Sequence, residues 1–216
     1  MMKKVSMLAS VVMALLLSAC SQLSFPGASS EAKSVSDAQT KENAQLTALR
    51  ESALKLPMFI YETGKQSATA YFNQQQIVFI EIKDQQQKIE HIYLKNGRVA
   101  TVVNNKHVYD FSKGKLNNEE LAVEKAAEKW VQKLSYNSAD RNISAVRTGD
   151  EAKLNYLCIA KVQQVAGTKK VLRTSANSAQ STSRLTASMR LNGNQFYQMD
   201  CVLAGDRVEK LSLIAK

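Results

Sequence analysis

The chain has 216 residues and a formal charge of +10, with 44% hydrophobic and 22% charged residues. Those proportions exclude a wholly disordered chain and a helical integral membrane protein, and they leave enough apolar side chains for a core in one domain or two small ones. The basic balance favours acidic partners such as lipid phosphates, lipopolysaccharide or nucleic acid, without selecting among them.

Lys3 and Lys4 precede an apolar run, Val5 to Leu17, of only 13 residues, well short of the ~20 that span a bilayer as a helix. A positive segment, an apolar segment and then small residues form the order of a secretory leader. This one ends in Leu17-Ser18-Ala19-Cys20, which resembles the lipobox of bacterial lipoproteins: Leu, a small residue, Ala or Gly, then Cys. The resemblance implies that residues 1–19 are a signal peptide cut before Cys20. It further implies that the Cys20 thiol carries diacylglycerol and that the new amine is usually acylated. Ser21 stands where an Asp would mark inner-membrane retention in enteric-type bacteria, so the implied address is the outer membrane, facing the periplasm. Two or three acyl chains hold a protein durably on a bilayer where one does not. Cleavage removes Lys3 and Lys4, and the mature chain still carries +8.

Residues 20–43 are rich in Ser, Ala, Gln and Lys around Pro26-Gly27 and read as a flexible spacer, with a span of roughly 25 Å as a coil. Leu46, Leu49, Ala53 and Leu56 then recur at helical spacing, and Pro57 stops the run, which predicts a short amphipathic helix over 44–56 that packs on the domain it precedes. Strand signals follow. A strand ends at Tyr61-Glu62-Thr63-Gly64; residues 68–72, 77–82, 89–94, 99–103 and 107–111 are β-rich, and Asn96-Gly97 is a hairpin turn. They predict an antiparallel meander of about five strands. Asn117-Asn118-Glu119-Glu120 reads as an N-cap with acid in the first turn, opening a helix to Leu134. Val123, Ala127, Trp130, Val131 and Leu134 share its inner face, with Trp130 as a packing anchor.

Beyond Lys153 the pattern predicts strands again, over 154–165, 184–191, 196–203 and 208–214. Turns fall at Asn192-Gly193-Asn194 and Gly205-Asp206, and a mobile loop over 174–183. The whole is an α+β fold: an antiparallel meander, one packed amphipathic helix, then a second set of antiparallel strands. Residues 44–216 form one domain or two subdomains, 44–136 and 137–216, sharing that helix.

Cys158 and Cys201 are the cysteines left once Cys20 is lipidated, and an even pair in an exported chain is a disulfide candidate. Two buried thiols and a redox pair are the alternatives, although a redox pair usually has the closer Cys-x-x-Cys spacing. His91 and His107 are the whole histidine supply and lie on different predicted strands, so no metal centre is expected. There is no Gly-x-Ser-x-Gly and no Gly-rich loop before a helix, so neither a serine hydrolase nor a nucleotide cofactor is indicated. Carboxylates such as Glu62, Glu81 and Asp110 leave an enzyme of cell wall or lipid open. From Ala152 to Met199 the chain has no Asp or Glu, and Lys169, Lys170, Arg173, Arg184 and Arg190 are the candidate anion-binding residues, set against a solvated face that resists edge aggregation. The leading expectation is a non-enzymatic envelope lipoprotein. Its expected partners are the bilayer, through acylated Cys20, and an envelope protein or anionic component. Binding of DNA or lipopolysaccharide through the basic segment is an alternative.

Overall fold

The computed structural model describes residues 44–104, 107–137, 139, 149–175 and 178–216. The signal peptide, Cys20 and the spacer read from the sequence lie outside the described residues.

The first helix, α1, covers residues 44–53. Six strands follow: β1 (Met58–Glu62), β2 (Gln66–Asn73), β3 (Gln76–Asp84), β4 (Ile89–Lys95), β5 (Arg98–Asn104) and β6 (His107–Asp110). Each pairs antiparallel with the next, as the meander pattern predicts. At the β4–β5 hairpin, Asn96 and Gly97 both have positive φ, 53° and 77°. A two-residue turn needs that conformation to match the twist of its strands, and Asn and Gly tolerate it best. Asn192 and Gly193 repeat the device at 51° and 89°.

Helix α2 (Asn118–Leu134) begins as its sequence predicts. The Asn117 side chain accepts the Glu119 and Glu120 amides at 2.9 and 3.0 Å, and the Glu120 carboxylate accepts the Asn117 amide at 2.8 Å, a reciprocal cap. Ala127 and Leu134 are fully buried, with Val123, Trp130 and Val131 packed on the same core.

Residues 154–165, expected as a strand, instead lie within a second long helix, α3 (Asp150–Ala166). Its buried residues are Leu154, Leu157, Cys158, Lys161, Val162 and Val165, a spacing of three and four that only a helix places on one face. Asp150 and Glu151 supply acid to the first turn, and Gly167 ends the helix at φ 65°, where a Cβ is disfavoured. Among the described residues, then, two long helices pack on the sheet rather than one. Cys158 and Cys201 are disulfide-bonded, with Cα atoms 6.0 Å apart. The expected disulfide is present, and it ties helix to sheet because Cys158 lies on α3 and not on a strand over 154–165.

The remaining strands are β7 (Val171–Arg173), β8 (Ser178–Ser181), β9 (Arg184–Leu191), β10 (Gln195–Ala204) and β11 (Arg207–Ala215). Strand β8 lies within the segment expected as a loop and pairs with β9. All eleven strands share one sheet, in the order β6-β5-β4-β3-β2-β1-β11-β10-β9-β7. The seam is the parallel pair β1–β11, with Ile60 beside Lys210 and Tyr61 beside Leu211. It joins the strands of 44–136 to those of 137–216.

The larger core lies between the sheet and helices α2 and α3, where Phe59, Phe72, Ile80, Ile92, Leu185, Met189 and Leu211 meet Leu134, Leu154 and Leu157. On the opposite face α1 brings Leu46 and Ala53 onto Tyr71, Phe79 and Tyr93. Burial of Lys161, only 2% exposed, is explained by the end of α2. Its ammonium donates to the Ser135 carbonyl at 2.8 Å and lies 4.3 Å from the Phe59 ring centre. Gln164 Nε2 donates to the carbonyls of Gln132 and Ser135, both at 2.9 Å. Carbonyls at a helix C-terminus carry partial negative charge and lack intrahelical donors, so a cation and an amide satisfy them.

Candidate functional site

Side chains alternate across a sheet, so the register decides which of them meet. On β9 the even positions Thr186, Ser188 and Arg190 face away from α2 and α3, while Leu185, Ala187, Met189 and Leu191 are buried beneath them. Leu172 pairs with Arg190, and Arg190 with Phe196, so these three form one row across β7, β9 and β10. In the next row Ser188 pairs with Gln198 and Gln198 with Ile214, which sets Ile214 diagonal to Phe196. Leu172 and Phe196 are each 51% exposed and Ile214 is 39% exposed. Among the described residues no helix covers this end of the sheet face, where Arg190 stands between Leu172 and Phe196 and the Lys216 ammonium donates to Ser188 Oγ at 2.7 Å beside it.

The other candidate anion-binding residues do not gather with Arg190. Arg173 pairs with buried Met189 and so points to the helix face, where its guanidinium donates to Asn155 Oδ1 of α3. Arg184 forms a two-pronged bond to Asp200, both contacts at 2.9 Å. Lys169 and Lys170 are exposed in the turn before β7. Of the five, only Arg190 stands in the apolar row, and among the described residues it makes no ion pair.

The carboxylates are likewise dispersed. Glu62 pairs with Lys210 at 3.0 Å and Asp110 with Lys113 at 3.2 Å. Glu81 is buried beneath α1, where it meets Lys83 at 2.7 Å and both Arg50 and His91 at 3.3 Å. A carboxylate only accepts, so His91 Nε2 carries the proton in that contact. Burial alone would raise the Glu81 carboxyl, but Lys83, Arg50 and His91 together hold it below its ordinary value. Burial, with Arg50, pushes His91 down. This cluster clasps α1 to β3 and β4. Sequence spacing gives no sign of it, since Arg50 and Glu81 meet only once the sheet has formed. His107 lies on edge strand β6 with its ring 6.3 Å from Tyr109. Among the described residues no group of three His, Cys, Asp or Glu is placed to hold a metal ion.

Beyond the end of α3 a cleft of about 690 Å³ opens beside β1, β10 and β11, and Ile214 lines it from the opposite face. Tyr61, Leu191, Leu213 and Tyr197 form its floor, and Lys65, Gln66, Gln85, Asn192 and Gln195 stand around it. Burial, reinforced by Tyr197, pushes the Tyr61 phenol up to about 12. Among the described residues none of the side chains lining this cleft is a carboxylate.

Fold and surface together define an α+β protein whose disulfide ties a helix to the sheet. The chain belongs to the same family as "Uncharacterized protein PM0674" of Pasteurella multocida, with which it is 38% identical over 94% of each chain. No family model matches the sequence, and no solved structure matches it.

Proposed function

We propose that this chain is an envelope lipoprotein anchored through acylated Cys20 to the outer membrane, facing the periplasm, and that its folded unit is a non-enzymatic binding module. The observation that carries the binding role is the row Leu172–Arg190–Phe196 with Ile214 beside it, an apolar cluster displayed on a sheet face. Large apolar side chains exposed near one another are common on partner surfaces. Arg190 at their centre selects a protein that presents apolar side chains around a carboxylate. A disulfide between two fully buried cysteines supports an oxidising compartment such as the periplasm.

The reading is tested in intact cells. A photo-crosslinking residue at position 196 captures a defined protein, identified by mass spectrometry, and the same residue at exposed position 128 of α2 does not. Identical products from both positions, or none from 196, refute the surface assignment. For the anchor, a palmitate analogue labels the wild type and not Cys20→Ala; equal labelling refutes it.

A further inference from the structure

One flank of α2 carries Lys125, Lys129 and Lys133, which recur every fourth residue and so stack along the helix about 6 Å apart. Glu120, Glu124 and Glu128 do the same on another flank. Alternating the same six residues would give attractive Glu–Lys neighbours at this spacing. Sorted as they are, each neighbour four residues on is a like charge and repels. Among the described residues none of the three lysines forms an ion pair, so the repulsion along their flank is not relieved from within the protein.

The lysines border a groove of about 490 Å³, whose remaining lining is Ala122, Ala126 and Trp130. The two alanines leave it open, and the indole gives it an apolar wall. At one end the half-buried Lys133 ammonium lies 4.9 Å from the centre of the Trp130 ring and 5.6 Å from that of Tyr61. Aromatic faces attract a cation without neutralising it. Burial pushes Lys133 down, and an anion bound beside it would offset that burial.

The groove therefore calls for an anionic ligand, and the form of its charges narrows the class. All three are ammoniums, and none is a guanidinium. The planar fork of an arginine reads a phosphate or carboxylate in fixed geometry, whereas a lysine is a point charge on a flexible stem. Such charges suit a surface whose anions have no fixed register. A nucleic acid or an acidic helix presents its charges in register; a lipid surface does not. Lysines beside an exposed indole are also the combination found at the polar boundary of a bilayer. The inference rests on the anchor proposed above only for the nearness of that bilayer.

We propose that this flank of α2 docks on anionic phospholipid headgroups, with phosphates along Lys125, Lys129 and Lys133 and the exposed part of the Trp130 indole among the carbons beside them. Leu172, Arg190 and Phe196 stand on the other face of the sheet and take no part.

Trp130 is the only tryptophan in the chain, so its emission reports on this groove. The mature chain, residues 20–216, is purified with Cys20→Ala so that no acyl chain contributes, and it is titrated with vesicles of phosphatidylglycerol and phosphatidylcholine in equal parts. These vesicles shift the emission to shorter wavelength, added salt reverses the shift, and vesicles of phosphatidylcholine alone cause none. Replacing the flank together, by Lys125→Gln, Lys129→Gln and Lys133→Gln, weakens binding about tenfold to a hundredfold. A matched variant, Lys88→Gln, Lys95→Gln and Lys170→Gln, loses the same charge at exposed positions away from α2 and binds within about threefold of the parent. Circular dichroism of both variants matches the parent. Four results overturn the proposal: no shift with the mixed vesicles, an equal shift with phosphatidylcholine alone, unchanged affinity in the flank variant, or an equal loss in the matched one. A single-stranded oligonucleotide that shifts the emission where the mixed vesicles do not assigns the flank to nucleic acid and overturns it too. The chain tested carries no anchor, so failure here leaves the Cys20 reading standing, and failure of palmitate labelling leaves this one.

Discussion

Replacing both Cys158 and Cys201 by Ala tests what holds α3 on the sheet. The bond closes a loop across 43 residues, and the chain-entropy relation gives about 4 kcal/mol for a loop of that length at 25 °C. For a protein of this size that corresponds to a fall in unfolding temperature of about 8–16 °C. Both cysteines are fully buried, so Ala keeps the site apolar and leaves no hydroxyl without a partner. Urea unfolding followed by far-UV circular dichroism, with and without dithiothreitol, reads the effect. Reductant lowers the wild-type midpoint to that of the double variant and does not move the variant. A loss below about 1 kcal/mol, or a reductant effect that persists in the variant, would refute the reasoning.

The Glu81 clasp makes stability depend on pH in a defined direction. His91 is held below 6.5 in the folded chain, so the unfolded chain takes up that proton first and stability begins to fall as pH drops below 6.5. Glu81 is held below 4.5, so its contribution is complete above that value and is lost as pH falls through the lowered one. Glu81→Gln costs about 1–2 kcal/mol at neutral pH, and His91→Gln removes the upper part of the acid-side slope; an unchanged slope in urea unfolding refutes the account. Lys161→Met keeps the side-chain length but removes the donor to Ser135, and it lowers the urea midpoint by the equivalent of about 1–3 kcal/mol; an unchanged midpoint would show that the ammonium does not support the end of α2. Leu172→Ser with Phe196→Ser leaves stability within about 0.5 kcal/mol while abolishing partner capture from a photo-crosslinker at position 190, and retained capture counts against the sheet face as the docking surface.

Local chemistry made much of this fold legible. Asn96-Gly97 and Asn192-Gly193 sit where hairpins must turn, and Asn117 with Glu120 caps α2, because each feature is decided within four residues. The segment 154–165 misled because Tyr156, Ile159 and Ala160 place apolar side chains off the buried stripe while Lys161 sits within it, blurring the helical period. Asp150, Glu151 and Gly167 were the surviving helix signals. Neither the clasp nor the cleft was legible. Arg50 reaches Glu81 through a helix laid over a sheet, and Tyr61 nears Tyr197 only because β1 and β11 are adjacent. Arg190 was legible as a basic residue, but its apolar neighbours Leu172 and Phe196 depend on pairing register. The same register separates it from Arg173, which faces the other side.

The parallel pair β1–β11 is the most distant in sequence of the neighbouring pairs in the sheet. Every other neighbouring pair in the sheet is made within one half of the chain, from contacts between segments close in sequence. Ile60 waits for Lys210. Strand β11 satisfies one edge of β1 and gives the two half-sheets their common centre. Contacts this distant in sequence form late and slowly. Without β11 both β1 and β10 would present an open edge, the kind of edge that pairs with other chains. Strand β11 thus closes the centre of the sheet from a point about 150 residues beyond β1 along the chain.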